Sequence, residues 1–321
     1  MALPFGITIV AQKRAAQLSR LTQQHWVRSQ ETCGRGKIMH SGILEESRVD
    51  VVINVYGKPW QTLCTLKSLL KYSGNKIDKI FLIKENQQPY GENIDWIQEH
   101  IGNLIIFKPD KYTFWHHRVN YYFKKYRYMV RYQYGIENSD KQFIYITHND
   151  VLYTGDIVGD MLREIGDNVG IGEIGQCWNC PAQRKNVCSG ETFYEWNPSY
   201  ADVLKLGLPY RRTRKELIDK RNPKPLPECR LNEWACLINR NVVMKECHPN
   251  GSSPIFGQAR VDVGDLWFRS LHLKGYKFAY YNRNYNHHHW SSLSGHRTEL
   301  DKELYDEAEE NARGYFLENF A

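Results

Sequence analysis

His148, Asn149 and Asp150 interrupt a run of strand-forming residues: Phe143 to Thr147 precedes them, and Val151, Leu152 and Tyr153 resume behind them. A carboxylate at a strand end can hold a hard divalent cation. Oxygen ligands with phosphate as partner suit Mg2+ or Mn2+, so Asp150 reads as a ligand to a cation that carries a diphosphate. The same triplet would also serve as an Asx turn between two strands. Far along the chain, His287, His288 and His289 directly follow another apolar run. At least one of these imidazoles can point back toward the strand ends, although a solvated loop is the plainer use of three adjacent histidines.

Two further groups invite chemistry. Asp262 and Asp265 flank the start of the helical segment LWFRSLHLKG. One of them can deprotonate an acceptor hydroxyl as a general base, and either can simply cap the helix. Cys177, Cys180 and Cys188 lie in CWNCPAQRKNVC, with Cys229 later. The C-x2-C unit chelates well and four thiolates would close a tetrahedral Zn2+ site; reduced, unliganded thiols are the alternative.

The elements that must carry these groups alternate. VDVVINVYG predicts a strand and KPWQTLCTLKSLLKYSG a helix opened by Pro59 and stopped by Gly74. KIFLIKE, a helix near Glu92 to His100, and NLIIFKP complete a βαβαβ series, which argues for an α/β fold with a mostly parallel, doubly wound sheet. The aromatic and basic segment that follows is expected to be largely helical from about Val119. Asp156 is placed to cap a short helix that Gly166 ends, and VGIGEIG predicts a strand. Residues 176–234 are irregular, rich in Pro, Cys and charge, and too long for an ordinary connection, so they read as a functional insertion that shapes a site. WACLINR then predicts a strand, and the rest reads as loop, helix, Gly275, strand and an acidic C-terminal helix. The expected organisation is a basic N-terminal arm (1–47), one α/β domain (48–292) with the Cys-rich insertion, and an acidic helical tail (293–321).

The 321 residues suffice for a sizeable core, and the hydrophobic (41%) and charged (25%) fractions are those of a folded globular chain. The net charge of +7 is uneven: residues 11–40 hold six Lys or Arg against one Glu, and 297–313 hold seven acids against three bases. The basic arm, beside Trp26, could touch anionic lipid or a phosphorylated substrate, or be merely solvated. No motif accompanies the charge, so nucleic acid is not an expected partner. No apolar run reaches the length of a membrane span, and GITIVA near the start lacks the flanks of a secretion signal, so a cytoplasmic location is expected, with peripheral membrane contact through the arm as its one extension.

The order of these motifs resembles the family 2 glycosyltransferases and related inverting enzymes of the GT-A fold, over roughly Val49 to Ser292. VVINVYGKPWQTLCTLKSLL matches their opening strand and helix, FIYITHND the strand that ends in their Asp-x-Asp motif, and DVGDLWFRSLHLKGYKF their acidic acceptor-side motif; a later His matches a metal ligand. The resemblance implies that Asp150 is the metal-binding acid, with His148 standing where the motif has its first Asp and Asn149 between them. It implies that Glu85, Val55 and Tyr56 meet the nucleobase, that Asp262 or Asp265 is the base, and that one of His287, His288 and His289 binds Mn2+ or Mg2+. The usual adjacent acid pair is missing, because Val263 and Gly264 separate the two aspartates.

The implied activity is metal-assisted, inverting transfer of a sugar from a nucleotide-diphosphate sugar to a hydroxyl of a glycan or glycolipid, as in polysaccharide biosynthesis. A nucleotidyltransferase shares this sheet type, but the single Gly of NVYGKPWQ is no phosphate loop. A non-catalytic glycan- or nucleotide-binding module, in which the acids are caps, is the reading from outside enzymes.

Overall fold

Strand β1 (Val49–Val55) alternates in a way that lays out the whole molecule. Val49, Val51, Ile53 and Val55 face one apolar core and Val52 faces the other, because successive strand side chains point to opposite faces. Being buried on both faces, the strand is a continuous apolar run. It leads into helix α1 (Pro59–Ser73), then β2 (Ile77–Lys84) and β3 (Leu104–Phe107). Two short helices, α2 (Lys124–Arg127) and α3 (Gln133–Asn138), precede β4 (Phe143–Thr147) and β5 (Val151–Tyr153). Helix α4 (Ile157–Glu164) and β6 (Gly170–Ile174) follow, then α5 (Pro181–Arg184), α6 (Tyr200–Leu204) and β7 (Leu231–Asn239). The chain continues through α7 (Arg240–Glu246), α8 (Asp265–Leu273), β8 (Phe278–Tyr280), β9 (Asn286–His288) and α9 (Lys302–Asn319). This computed structural model describes residues 47–111, 121–282, 285–288 (backbone alone for 286–288) and 301–321. They belong to one unit, Leu44–Ala321. The expected N-terminal arm, except Ser47, lies outside the described residues, as does His289.

The seven-stranded sheet has the order β3-β2-β1-β4-β7-β6-β8. The first four strands are mutually parallel, β7 runs antiparallel to both its neighbours, and β8 is parallel to β6. Succession from β1 runs outward through β2 to β3 and then returns to β4 on the other side of β1. The order reverses between β1 and β4, and in an open α/β sheet the crevice beyond the strand ends at such a reversal is where ligands bind. Helices α1, α4 and α9 cover one face through Leu63, Leu66, Met161 and Phe316; α3, α7 and α8 cover the other through Ile136, Val243, Trp267 and Phe268. The α/β fold with helices on both faces therefore stands as expected.

Three local expectations need correction. The aromatic segment is not largely helical: Tyr132 adopts φ 66° and separates α2 from α3. Its rings pack on the sheet edge instead, with Tyr134 stacked on Phe107 at 3.7 Å between centroids. Gly135 brings α3 against β1 so closely that a Cβ there would stand 2.6 Å from Val52. The expected helix near Glu92 to His100 is a 3-10 turn over Asp95–Glu99. Finally, β7 begins at Leu231 rather than Trp234, inside the span expected to be irregular.

Helix α9 packs along α1, with Tyr305, Ala308, Glu309, Ala312 and Phe316 buried. Asp301 caps its own first turn through the amide of Leu304. No helix among the described residues is long and apolar enough to cross a membrane.

Candidate functional site

The turn after β1 is unusual. Gly57 (φ 65°) and Lys58 (φ 60°) are both left-handed, and a side chain at Gly57 would collide with Pro89 and Tyr305. A lysine rarely adopts this conformation unless its surroundings impose it. Here they do: the Lys58 amide donates to the Tyr305 hydroxyl at 2.7 Å, and the Asn149 amide donates to the Gly57 carbonyl at 3.0 Å. Lys58 offers α1 no capping side chain. The α1 N-terminus is instead capped by Glu309 of α9, whose carboxylate accepts from the amides of Trp60 (2.8 Å) and Gln61 (3.3 Å).

This turn directs Lys58 across the reversal point, where its Nζ lies 2.8 Å from Asp150 Oδ2, both side chains being buried. Asp150 thus lies at the end of β4 beside a cation of the protein. His148 sits next to it, with Nδ1 3.9 Å from Asp150 Oδ1, too long for a hydrogen bond, and with Nε2 3.4 Å from Glu233 Oε1. Glu233 is fully enclosed. Burial would raise its carboxyl, but the Arg230 guanidinium and the His148 contact outweigh that and hold it at about 2. Glu233 thus sets a carboxylate behind the His148 ring, at the nitrogen that does not face Asp150. A carboxylate behind an imidazole in this way is what fixes histidines that bind metals. Two ligand atoms 3.9 Å apart can be spanned by one ion with metal-oxygen and metal-nitrogen distances near 2.1 to 2.3 Å, leaving other positions to phosphate oxygens and water. The residues therefore fit Mg2+ or Mn2+.

The polar chain continues. Arg230 bonds Glu233 and the Val263 carbonyl (2.9 Å), and its other nitrogen lies 3.5 Å from Asp262 Oδ2. Asp262 also accepts from Gln176 (3.0 Å) and from the half-exposed Arg212 (2.5 Å). Asp265 behaves differently. It is buried, and its carboxylate accepts from the amides of Arg260 (3.0 Å), Val261 (2.9 Å) and Leu266 (2.7 Å), which folds the loop onto the start of α8. Burial raises its carboxyl despite these bonds. Asp262 is thus partly exposed among arginines, and Asp265 holds the loop.

At the ends of β1 and β2, Glu85 accepts from Asn54 (3.0 Å) and stands 3.4 Å from Arg131. Val55 is fully buried in the core under α1, and only its carbonyl, bonded by the Glu85 amide, takes part. Tyr56 is partly buried. Asn149 spends its amide on Gly57 and Thr62, so it locks the turn. His288 pairs with Val151 and His287 with Leu152, which brings that backbone alongside the residue after Asp150. Among the described residues, the three acids whose ligand atoms lie mutually within 4.8 Å are Asp50, Asp78 and Asp140. These occupy the opposite end of the sheet, and Arg48, Lys79 and Lys141 neutralise them.

Lys58, Asn54, Arg131, Arg230 and Glu233 escaped the sequence reading. The last two had a signal: RLNEWACLIN places charge at the mouth of an apolar strand, where burial demands partners.

No protein-family model matches the chain, and no curated protein matches it in sequence. Among solved structures it is similar to the mannosyltransferase PcManGT from Pyrobaculum calidifontis in complex with GDP-Man and Mn2+, at 10% identity over 96% of this chain and 86% of that one, with a TM-score of 0.43. So loose a likeness leaves function to be argued from the side chains.

Proposed function

We propose that this chain is a glycosyltransferase that moves a sugar from a nucleotide-diphosphate donor to a hydroxyl acceptor with inversion at the anomeric carbon. One observation carries the reading. Two acids of the kind such a reaction needs, Asp150 at the end of β4 and Asp262 in the loop before α8, are linked by a run of close polar contacts through His148, Glu233 and Arg230. Glu85, with Asn54 and Arg131, would take the nucleobase at the β1 and β2 ends. Asp262 would accept the acceptor's proton as its oxygen attacks the anomeric carbon and the bond to the diphosphate breaks on the opposite side. Lys58 brings positive charge to the diphosphate side. A Mn2+ or Mg2+ ion held by Asp150 and His148, with one of His287, His288 and His289 as a further ligand, would offset the charge that builds on the leaving group.

The acceptor would enter over the loop after β6. Trp178 there is 46% exposed, two residues from the Gln176 that bonds Asp262, and its ring lies 5.5 Å from that of Trp234. An exposed aromatic face of this kind suits a sugar ring, so a glycan or glycolipid is the acceptor class.

A thermal-shift screen of nucleoside diphosphates and nucleotide sugars, with Mn2+ and with chelator, tests the donor site, since a ligand that binds only the folded state raises the melting temperature. Release of nucleoside diphosphate from the stabilising nucleotide sugar tests transfer. Stabilisation without release would leave a binding module; no stabilisation by any nucleotide would remove the donor site altogether.

A further inference from the structure

Four cysteines converge behind the loop that carries Gln176 and Trp178. Cys177, Cys180, Cys188 and Cys229 come from two stretches of chain 41 residues apart, counted from 188 to 229, yet all line one small cavity together with Ile174, Phe193 and Glu228. The cavity measures about 10 Å³, room for about one water-sized sphere. None of the four is in a disulfide.

Local structure brings them there. Cys177 opens a 3-10 turn whose first and last carbonyl-amide bond joins it to Cys180 (3.0 Å). Two residues after Cys188 comes Gly190, where a Cβ would stand 2.3 Å from the Ile174 carbonyl oxygen, so only glycine lets the chain press against the end of β6. Cys229 reaches the same cavity from the entry to β7, one residue before Arg230. The site is thus assembled on two strand ends, not on one flexible loop.

We propose that these four side chains are the ligands of a structural zinc ion. A set of four thiolates, with one C-x2-C chelating pair and two further thiols from separate segments, is a complete tetrahedral donor set that leaves no position for substrate. Zn-S distances near 2.3 Å put the sulfurs about 3.8 Å apart. Among the described residues no three of these sulfurs lie mutually within 4.8 Å, so binding would require them to move inward, with Cys177 and Cys188 leaving the Ile174 and Ser189 carbonyls to which they donate. Each thiol that binds gives up its proton to solvent. Lys224, whose Nζ is held by the carbonyls of Phe193 and Trp196, adds positive charge toward Cys188 and partly offsets the four thiolates. Burial pushes Cys177, Cys180 and Cys188 up to about 11 and Cys229 well above its ordinary value, the other thiols' charges adding to the effect in Cys229.

The consequence lies in the position of the ion. Cys177 stands between Gln176, which bonds Asp262, and Trp178, while Cys229 adjoins Arg230. One ion would pin both to the same point. The proposal does not depend on the nature of the donor or acceptor.

The test uses the full-length chain purified under reducing conditions without chelator. The expected result is one zinc per chain by elemental analysis, retained through gel filtration, with slow thiol titration that becomes fast on adding a strong chelator. Replacement by Co2+ should give the intense thiolate-to-metal absorption and visible bands of a tetrahedral sulfur site. Cys188→Ser and Cys229→Ser should each lose those bands or weaken metal retention; if either fails to fold, the wild-type cobalt spectrum still decides. Zinc-free protein with all four thiols freely titratable, a disulfide among them in the reduced preparation, or a cobalt spectrum of oxygen and nitrogen ligands overturns the site.

Discussion

Lys58 Nζ lies 2.8 Å from Asp150 Oδ2, with side chains only 5% and 13% exposed, so the acid read from sequence as a metal ligand is already half of a buried ion pair. Removing one member of such a pair strands the other in a medium that solvates it poorly. Lys58→Met and Asp150→Asn are each expected to cost about 3 to 5 kcal/mol of stability. The double variant should be more stable than either single one, as a urea-unfolding double-mutant cycle would reveal. Additive losses would show that the pair contributes no coupling. Asp150→Asn is therefore not the mild change that a turn residue would permit, and donor binding should be compared at a temperature where every variant is folded.

The two aspartates before and at the start of α8 should separate cleanly. Asp262→Asn, at a partly exposed position, is expected to cost less stability than Asp265→Asn and to lower turnover by about a hundredfold or more, as for loss of a general base. Asp265→Asn replaces an oxygen that accepts backbone amides with an NH2 group, at a cost of about 1 to 3 kcal/mol in stability. If the melting losses fall on Asp262 and the turnover losses on Asp265, the roles are reversed.

Glu85 offers a way to divide the donor. Because it sits with Asn54 and Arg131 at the β1 and β2 ends, away from Asp150, Glu85→Ala should reduce the thermal stabilisation given by nucleoside diphosphates. Stabilisation by pyrophosphate with Mn2+ should persist. Equal loss of both would place the phosphates, not the base, at Glu85.

Glu309 gives the fold a pH dependence. Burial raises its carboxyl to about 7, with the Trp60 and Gln61 amides opposing and the charge of Glu92 adding. The folded state therefore holds this proton more tightly than the unfolded chain, where a glutamate titrates near 4.3. Stability from this group is fully present at low pH, falls as pH rises from about 4.3 to about 7, and is level above that, a change of about 3 to 4 kcal/mol. Glu309→Gln should flatten that slope, and because its NH2 group would face one of the two amides that the carboxylate accepts, the slope and not the absolute melting temperature is the readout. An unchanged slope would assign the pH dependence to other groups.

The sheet was legible because β1, β2 and β4 are continuous apolar runs bounded by Gly, Pro and polar residues, and because α1 carries leucines at helical spacing. The aromatic stretch before β4 was not, since Tyr and Phe beside Lys and Arg suit a helix face and an edge-packing loop equally. Within the site, Asp150 and Asp262 stood out by type and place. Lys58 did not, because Gly-Lys-Pro reads as an ordinary helix start, and its left-handed backbone is imposed by Asn149 and Tyr305, the latter 247 residues away. Glu233 and Arg230 were hidden by their reach: Glu233 matters through His148 at the end of β4 and Arg230 through Asp262 and Val263 in the loop before α8, and spacing along the chain carries no trace of either.

The dependence of the β1 turn on Tyr305 and Glu309 has a consequence for how the protein comes into being. During synthesis the residues around Lys58 emerge long before α9 does, so the left-handed turn gains its Tyr305 and Glu309 contacts only after α9 has followed. A chain cut short anywhere before Tyr305 would carry every side chain of the crevice and still lack the hydroxyl and carboxylate that hold α1 at its first turn. The β1 turn and the α9 helix therefore form as one unit, and removing α9 is expected to free the turn even though every residue around Asp150 is still present.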